Sequence, residues 1–355
     1  MSLRLLTHVE QVAVHLRAEL LRRRWVGELP GEDRLGAELD VNHTTIGLAL
    51  RLLENEGLLV TQGIGRRRRI VLPENFAPPS LRVGILLYER IDEKTDYMVD
   101  LLHRLFEAGH VASFASKCLV GLGMDVQRIA RFVERSENDA WVVVSGSSAV
   151  LEWFAERPAP AIALAGRRRG IRIAGAGPNK VPAQKAAVRR LVELGHRRIV
   201  MLAREDRRRP QPGLMERSFL EELEACGIAT SDYNLPDWNA TPEGLIQRLE
   251  LHFKYTAPTA LIIDEMPLFF AVERHLAHLG FLAPQHVSLI CLDPSPAFAW
   301  CRPTVAHINW DSRPLVQRIV HWANNVACGK EDRRQSFIKA EFIEGGTVGS
   351  VSGKR

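Results

Sequence analysis

Six short apolar runs constrain the fold of this chain more than any other feature. They are Leu81–Tyr88 (LRVGILLY), Ala140–Gly146 (AWVVVSG), Ala161–Gly166 (AIALAG), Arg197–Ala203 (RRIVMLA), Thr259–Glu265 (TALIIDE) and Val287–Asp293 (VSLICLD). A strand covered on both faces reads as continuous apolar sequence, and such strands separated by amphipathic helices form βαβ units. The order predicts an α/β architecture with parallel, doubly wound sheets. Upstream of Leu81 the texture is different, and Asn75–Ser80 (NFAPPS) marks the change. Its two consecutive prolines cannot sit inside a helix or a central strand. We therefore expect a first domain over residues 1–74, a linker over 75–80, a large domain over 81–349 and a tail over 350–355.

The first domain shows helical periodicity over Thr7–Trp25, a short helix over Glu32–Leu39, and a second periodic stretch from Thr44. In that stretch Ile46, Ala49, Leu50, Leu52 and Leu53 share one face, and Gly57 is placed to end the helix. A hairpin follows, whose turn and return strand read Gln62–Ile70 (QGIGRRRRI). Helix, helix, turn, helix, hairpin is the order of a winged helix-turn-helix, in which one helix enters the major groove. The segment from Leu29 to Leu59, with its following Gly63-Ile64-Gly65, resembles the winged-helix domain of the gluconate-repressor (GntR) family over about residues 10–71. Where that family carries Ser and Arg at the start of its recognition helix, this chain has Asn42 and His43. Gly47 stands where a further Arg is usual, and Gly31-Glu32-Asp33 replaces Ser-Glu-Arg. The resemblance implies double-stranded operator DNA as partner, met by the amide, imidazole and hydroxyl groups of Asn42, His43, Thr44 and Thr45.

Arg66, Arg67 and Arg68, with Arg69, could serve this DNA, address the chain to a compartment, or reflect codon usage. Of 47 basic residues 39 are arginine, with further runs at Arg22–Arg24, Arg167–Arg169 and Arg207–Arg209. Residues 1–75 hold 11 arginines against 10 acids, so net charge makes no case for DNA. Position does, because the four cations follow the wing tip directly. Strand alternation would turn Arg66 and Arg68 to one face and Arg67 and Arg69 to the other, leaving two or three for phosphate.

Leu191–Leu202 (LVELGHRRIVML), Pro258–Asp293, Arg302–Ile308 (RPTVAHI) and the ending Glu344–Gly349 (EGGTVG) are similar to the effector domain of the lactose-repressor (LacI) family. This resemblance, taken over 81–349, implies a two-lobed periplasmic-binding-protein-like fold: two parallel sheets, three crossovers, a cleft for a small-molecule effector, and a homodimer. Asp293 stands where the family has an acid facing the effector. Met215 and Ile263 stand where it has Arg and Asn, and Asn179 where an acid is expected. Tyr88 and Glu89, following the first strand, are candidates for the cleft wall, and Trp238 and Trp300 for stacking on a ligand ring.

The five cysteines are scattered without CxxC spacing, which fits reduced core residues and gives no metal site. No dinucleotide fingerprint, phosphate loop or Ser/His/Asp set occurs, so no cofactor and no enzymatic activity are expected. His196 is expected to pack a turn. No apolar run approaches a membrane span, and the charged N-terminal stretch lacks a signal-peptide core, so a cytoplasmic protein is expected. The resulting expectation is a transcription regulator of repressor type with a sugar-like or other small effector. Its rivals are a regulator whose cleft only dimerises and, more remotely, an enzyme using that cleft.

Overall fold

The computed structural model describes residues 7–21, 24–25, 27–63, 66–71, 80–90 and 95–351. The wing-tip residues 64–65, the expected linker apart from Ser80, and residues 352–355 of the tail lie outside them.

The N-terminal unit contains α1 (His8–Leu21), α2 (Glu32–Leu39) and α3 (His43–Asn55), then the antiparallel pair β1 (Leu59–Val60) and β2 (Arg69–Ile70). This is the expected winged-helix order, with α1 stopping short of Trp25. Leu16, Leu20, Leu35, Ile46, Leu50 and Leu53 pack into one core, each 1% exposed or less. The turn between α2 and α3 has a local cause. Asp40 takes a left-handed φ of 54°, and Val41 N–H reaches back to Gly36 O at 3.0 Å. A Cβ on Gly36 would lie 2.8 Å from the Val41 carbonyl oxygen, so glycine permits the close approach. Asn42 then caps α3 by accepting from Thr45 N–H at 2.8 Å.

The larger domain has two lobes. The first contains β3 (Arg82–Leu86), α4 (Asp96–Glu107), β4 (Val111–Phe114), α5 (Val126–Glu134), β5 (Ala140–Val144), α6 (Ser148–Ala155), β6 (Ala161–Leu164) and β7 (Ala174–Asn179). The second contains α7 (Val181–Glu193), β8 (Ile199–Leu202), α8 (Glu205–Arg208), α9 (Leu214–Ala225), α10 (Pro242–Tyr255), β9 (Ala260–Ile263), α11 (Met266–His278), β10 (Ser288–Cys291) and β11 (Ala306–Trp310). The chain then returns, and α12 (Arg313–Ala327) packs on the first lobe with Trp322 1% exposed in its core. Each lobe has a core on either face of its sheet.

Strand order is β4-β3-β5-β6-β7 in the first lobe and β11-β10-β9-β8 in the second, parallel throughout within each group. The last strand, β12 (Gln335–Ile343), belongs to both. Its first half pairs parallel with β7 and its second half antiparallel with β11, so the two expected sheets form one ten-strand order. The lobes are thus linked at three places: β7 to α7, β11 to α12, and β12 itself.

Candidate functional site

Two places gather the sequence-derived candidates. The first is the start of α3 with the wing. Asn42 and Thr44 are exposed, while Thr45 is half-buried. His43 Nε2 lies 3.1 Å from Glu32 Oε2 and 3.9 Å from Asp33 Oδ1. Arg66, Arg67 and Arg69 are exposed. Arg68 differs from the alternation expected for it. Its guanidinium turns inward, 2.7 Å from Glu32 Oε1 through Nη1 and bonded to Glu54 Oε1 through Nε. Thr61 Oγ1 donates to the same Glu54 oxygen at 2.9 Å. One arginine thus ties the wing to α2 and α3, because two carboxylates flank it there. Only two residues on each strand pair regularly, so strict alternation does not extend over Arg66–Arg68. Glu32 also covers Gly47, where a Cβ would lie 3.3 Å from its Oε2.

The second place is the cleft between the lobes. Parallel sheets present ligand groups beyond the carboxyl ends of their strands. Tyr88 and Glu89 follow β3, Arg167 follows β6, and Lys180 follows β7. From the second lobe, Arg204, Asp206 and Arg207 follow β8, Asp264 and Glu265 follow β9, and Asp293 follows β10. Many of their contacts cross between lobes. Arg204 bonds Glu89 of the first lobe through Nη1, and its Nε lies 3.0 Å from Glu265 Oε2 of the second. The Tyr88 hydroxyl bonds the Asp206 carboxylate. Arg167 Nη2 lies 2.8 Å from the carbonyl oxygens of Asp206 and Arg207 and 2.9 Å from that of Gln211. Lys180 Nζ pairs with Asp293 at the hinge, and Arg207 Nε lies 3.7 Å from Asp264 Oδ2.

Burial in this crowd of charge moves protonation equilibria. Desolvation, reinforced by the Asp264 charge, pushes Glu216 of α9 up to about 7 and Glu265 up to about 8. Desolvation also raises Asp264, against the pull of Arg207 and Lys180. Tyr88 is raised by burial and by Asp206.

Of the effector candidates, Asp293, Tyr88 and Glu89 meet at this cleft. Trp238 does not; it is 7% exposed in a second-lobe core, with the Arg208 guanidinium 5.7 Å over its ring. Such burial leaves no ring face for a ligand. Trp300 is 88% exposed at the end of a 3-10 turn over Pro296–Trp300. His196 is buried as expected of a packing residue, its Nε2 2.8 Å from Gly349 O. Sequence reasoning missed Arg167, Lys180, Arg204, Arg207, Glu216 and Glu265. The available signal was position for Arg167, Arg204 and Glu265, which end or directly follow apolar strand runs.

A family model described as a periplasmic binding protein-like domain matches residues 188–348. The two-lobed domain is periplasmic-binding-protein-like. Solved structures extend the likeness. A transcriptional regulator CelR–cellobiose complex shares 15% identity at a TM-score of 0.62, covering 90% of this chain and 100% of that one. A dimeric Lac repressor with a C-terminal deletion shares 15% identity at 0.61, covering 76% of this chain and 100% of that one. A LacI family regulator from Enterococcus faecium with bound ribose shares 16% at 0.60, again over 76% and 100%. At these identities the likeness is one of fold. No curated protein matches the sequence. These structural neighbours are transcription regulators rather than enzymes. Among the described residues no group of His, Cys, Asp or Glu has metal-binding geometry, and no helix is long and apolar enough to cross a membrane.

Proposed function

We propose that this chain is a DNA-binding transcription regulator, a repressor, that works as a homodimer under the control of a small molecule in the interlobe cleft. The observation that carries the reading is the succession of a winged-helix unit and a periplasmic-binding-protein-like domain in one chain. The α3 start, with Asn42, His43, Thr44 and Thr45, enters the major groove, and Arg66, Arg67 and Arg69 meet the adjacent phosphates. A two-fold dimer would read two related half-sites. Effector shifts the DNA-binding equilibrium only by its differential affinity for open and closed lobes. Selection of bound fragments from a genomic DNA library tests the core of this. It should enrich a two-fold-related sequence overlapping promoters. Recovery of unrelated fragments would refute sequence-specific regulation, and recovery of activator-type upstream sites would refute repression.

A second reading is favoured by the cross-lobe bonds. Glu89–Arg204 and Arg167 bridge the lobes through the chain's own groups, as a regulator that needs no effector would require. Thermal-shift screening separates the two readings, because a ligand at 100 times its dissociation constant adds about 2.7 kcal/mol.

A further inference from the structure

The cleft gathers six carboxyl groups and four cationic side chains. Glu89 comes from the first lobe, bonded to Arg204, and Asp206, Glu216, Asp264, Glu265 and Asp293 come from the second. Against them stand Arg167, Lys180, Arg204 and Arg207, and Arg167 directs its Nη2 at main-chain carbonyls. Glu216, 2% exposed, has no ion-pair partner within 4 Å among the described residues. Arg204 is held as a ligand would be, by Glu89 from one lobe and Glu265 from the other, on a side chain only 18% exposed.

We infer that the effector is an organic cation, an amine or guanidinium that takes the place of the Arg204 head group between Glu89 and Glu265. The inference rests on the reading of the cleft as the effector site. A cation in that place touches a carboxylate from each lobe, so its binding and lobe closure are one event. Glu265 is faced by Asp264, Asp293, Arg204 and Arg207, and Glu216 by Asp264, Arg207 and Arg167; both carboxyls lie high enough to hold protons near neutrality. A neutral sugar would offer those two carboxyls no charge in exchange for their protons.

Calorimetric titration of the full-length protein with agmatine and putrescine tests this, with cellobiose and ribose as neutral probes. Both amines stay charged from pH 6 to pH 8.5. They should bind, release protons, and gain about tenfold or more in affinity over that range, because each competes with protons on Glu216 and Glu265. Glu265→Gln, nearly isosteric, should lower amine affinity by about tenfold or more. Arg204→Ala, which vacates the position, should bind agmatine more tightly than the parent. Binding of a neutral sugar that Glu265→Gln leaves unchanged overturns the cation assignment while the effector site stands. Binding of none of the four probes, in the parent or in Arg204→Ala, overturns the assignment and counts against the effector site too.

Discussion

The wing run Arg66–Arg69 and the second-lobe run Arg207–Arg209 are equivalent as sequence and opposite as structure. In the wing, Arg66, Arg67 and Arg69 face solvent and only Arg68 is drawn in, by Glu32 and Glu54. In the second lobe, Arg208 is 6% exposed, Arg207 faces Asp264, and even the exposed Arg209 pairs with Asp237. What separates the runs is the carboxylates that the fold brings to them from distant sequence. An arginine run is a candidate for nucleic acid only after those carboxylates are counted.

The comparison predicts unequal costs for the same substitution. Arg208 donates to Ala203 O at 2.9 Å and Trp238 O at 2.6 Å, pairs with Asp237, and covers the Trp238 ring. Arg208→Ala strands two buried carbonyls and should cost the two-lobed domain about 3 kcal/mol. Denaturant unfolding followed by tryptophan fluorescence measures this, and an equal loss in Arg209→Ala would break the comparison. Arg68→Ala should cost the N-terminal unit about 1–2 kcal/mol, since its ion pairs are partly buried rather than deep. In melting followed by circular dichroism, Arg68→Ala should lower the midpoint of that unit and Arg67→Ala should not.

Legibility in the sequence followed burial pattern. β3, β5, β6, β8, β9 and β10 are covered on both faces and stand out as apolar runs. The half-exposed β4 (VASF) and β12 (QSFIKAEFI) do not, and they are the edge and the bridge of the sheet. β7 (AGAGPN) hides for another reason: the buried Arg168 lies across it. A Cβ on Gly175 would come 2.7 Å from Arg168 Cδ, and one on Gly177 3.1 Å from its Nη1. Within the cleft, Asp293 and Glu89 could be placed because they end or follow strand runs. Arg204, directly after Ala203, carried the same signal, while Lys180 and Glu216 did not, because neither follows an apolar run. Arg68 was misplaced because strand alternation says nothing of a carboxylate fourteen residues upstream.

A smaller effect distinguishes the two regions by pH. Glu216 at about 7 and Glu265 at about 8 sit above their unfolded value, so the native state binds more protons than the unfolded chain. Stability they contribute is present at low pH and is lost as pH rises through those values. His252, depressed to about 4 by burial, acts oppositely but only below its ordinary value near 6.5. Between pH 6.5 and 8 the two-lobed domain should therefore lose stability, with a slope of at most about 1.4 kcal/mol per pH unit for each group. Glu265→Gln should flatten that slope, while the melting of the N-terminal unit should stay level across the window. A slope unchanged in Glu265→Gln would remove this carboxyl as its source.

The smallest change in stability belongs to the exposed wing cations. Arg66, Arg67 and Arg69 have no role in the N-terminal core, so replacing all three by alanine should move its stability by less than about 0.5 kcal/mol. Under the proposed function their effect belongs in DNA binding. Each lost phosphate contact should reduce the log–log salt dependence of affinity by about 0.9, nearly equally for all sequences. Replacing Asn42 instead should relax discrimination among bases and leave the salt slope in place, provided that its cap on Thr45 is retained by Asn42→Asp. A triple alanine variant with an unchanged slope would place the wing away from phosphate. The inward-facing Arg68 would then be the only member of the run with an assigned role, and that role would be structural.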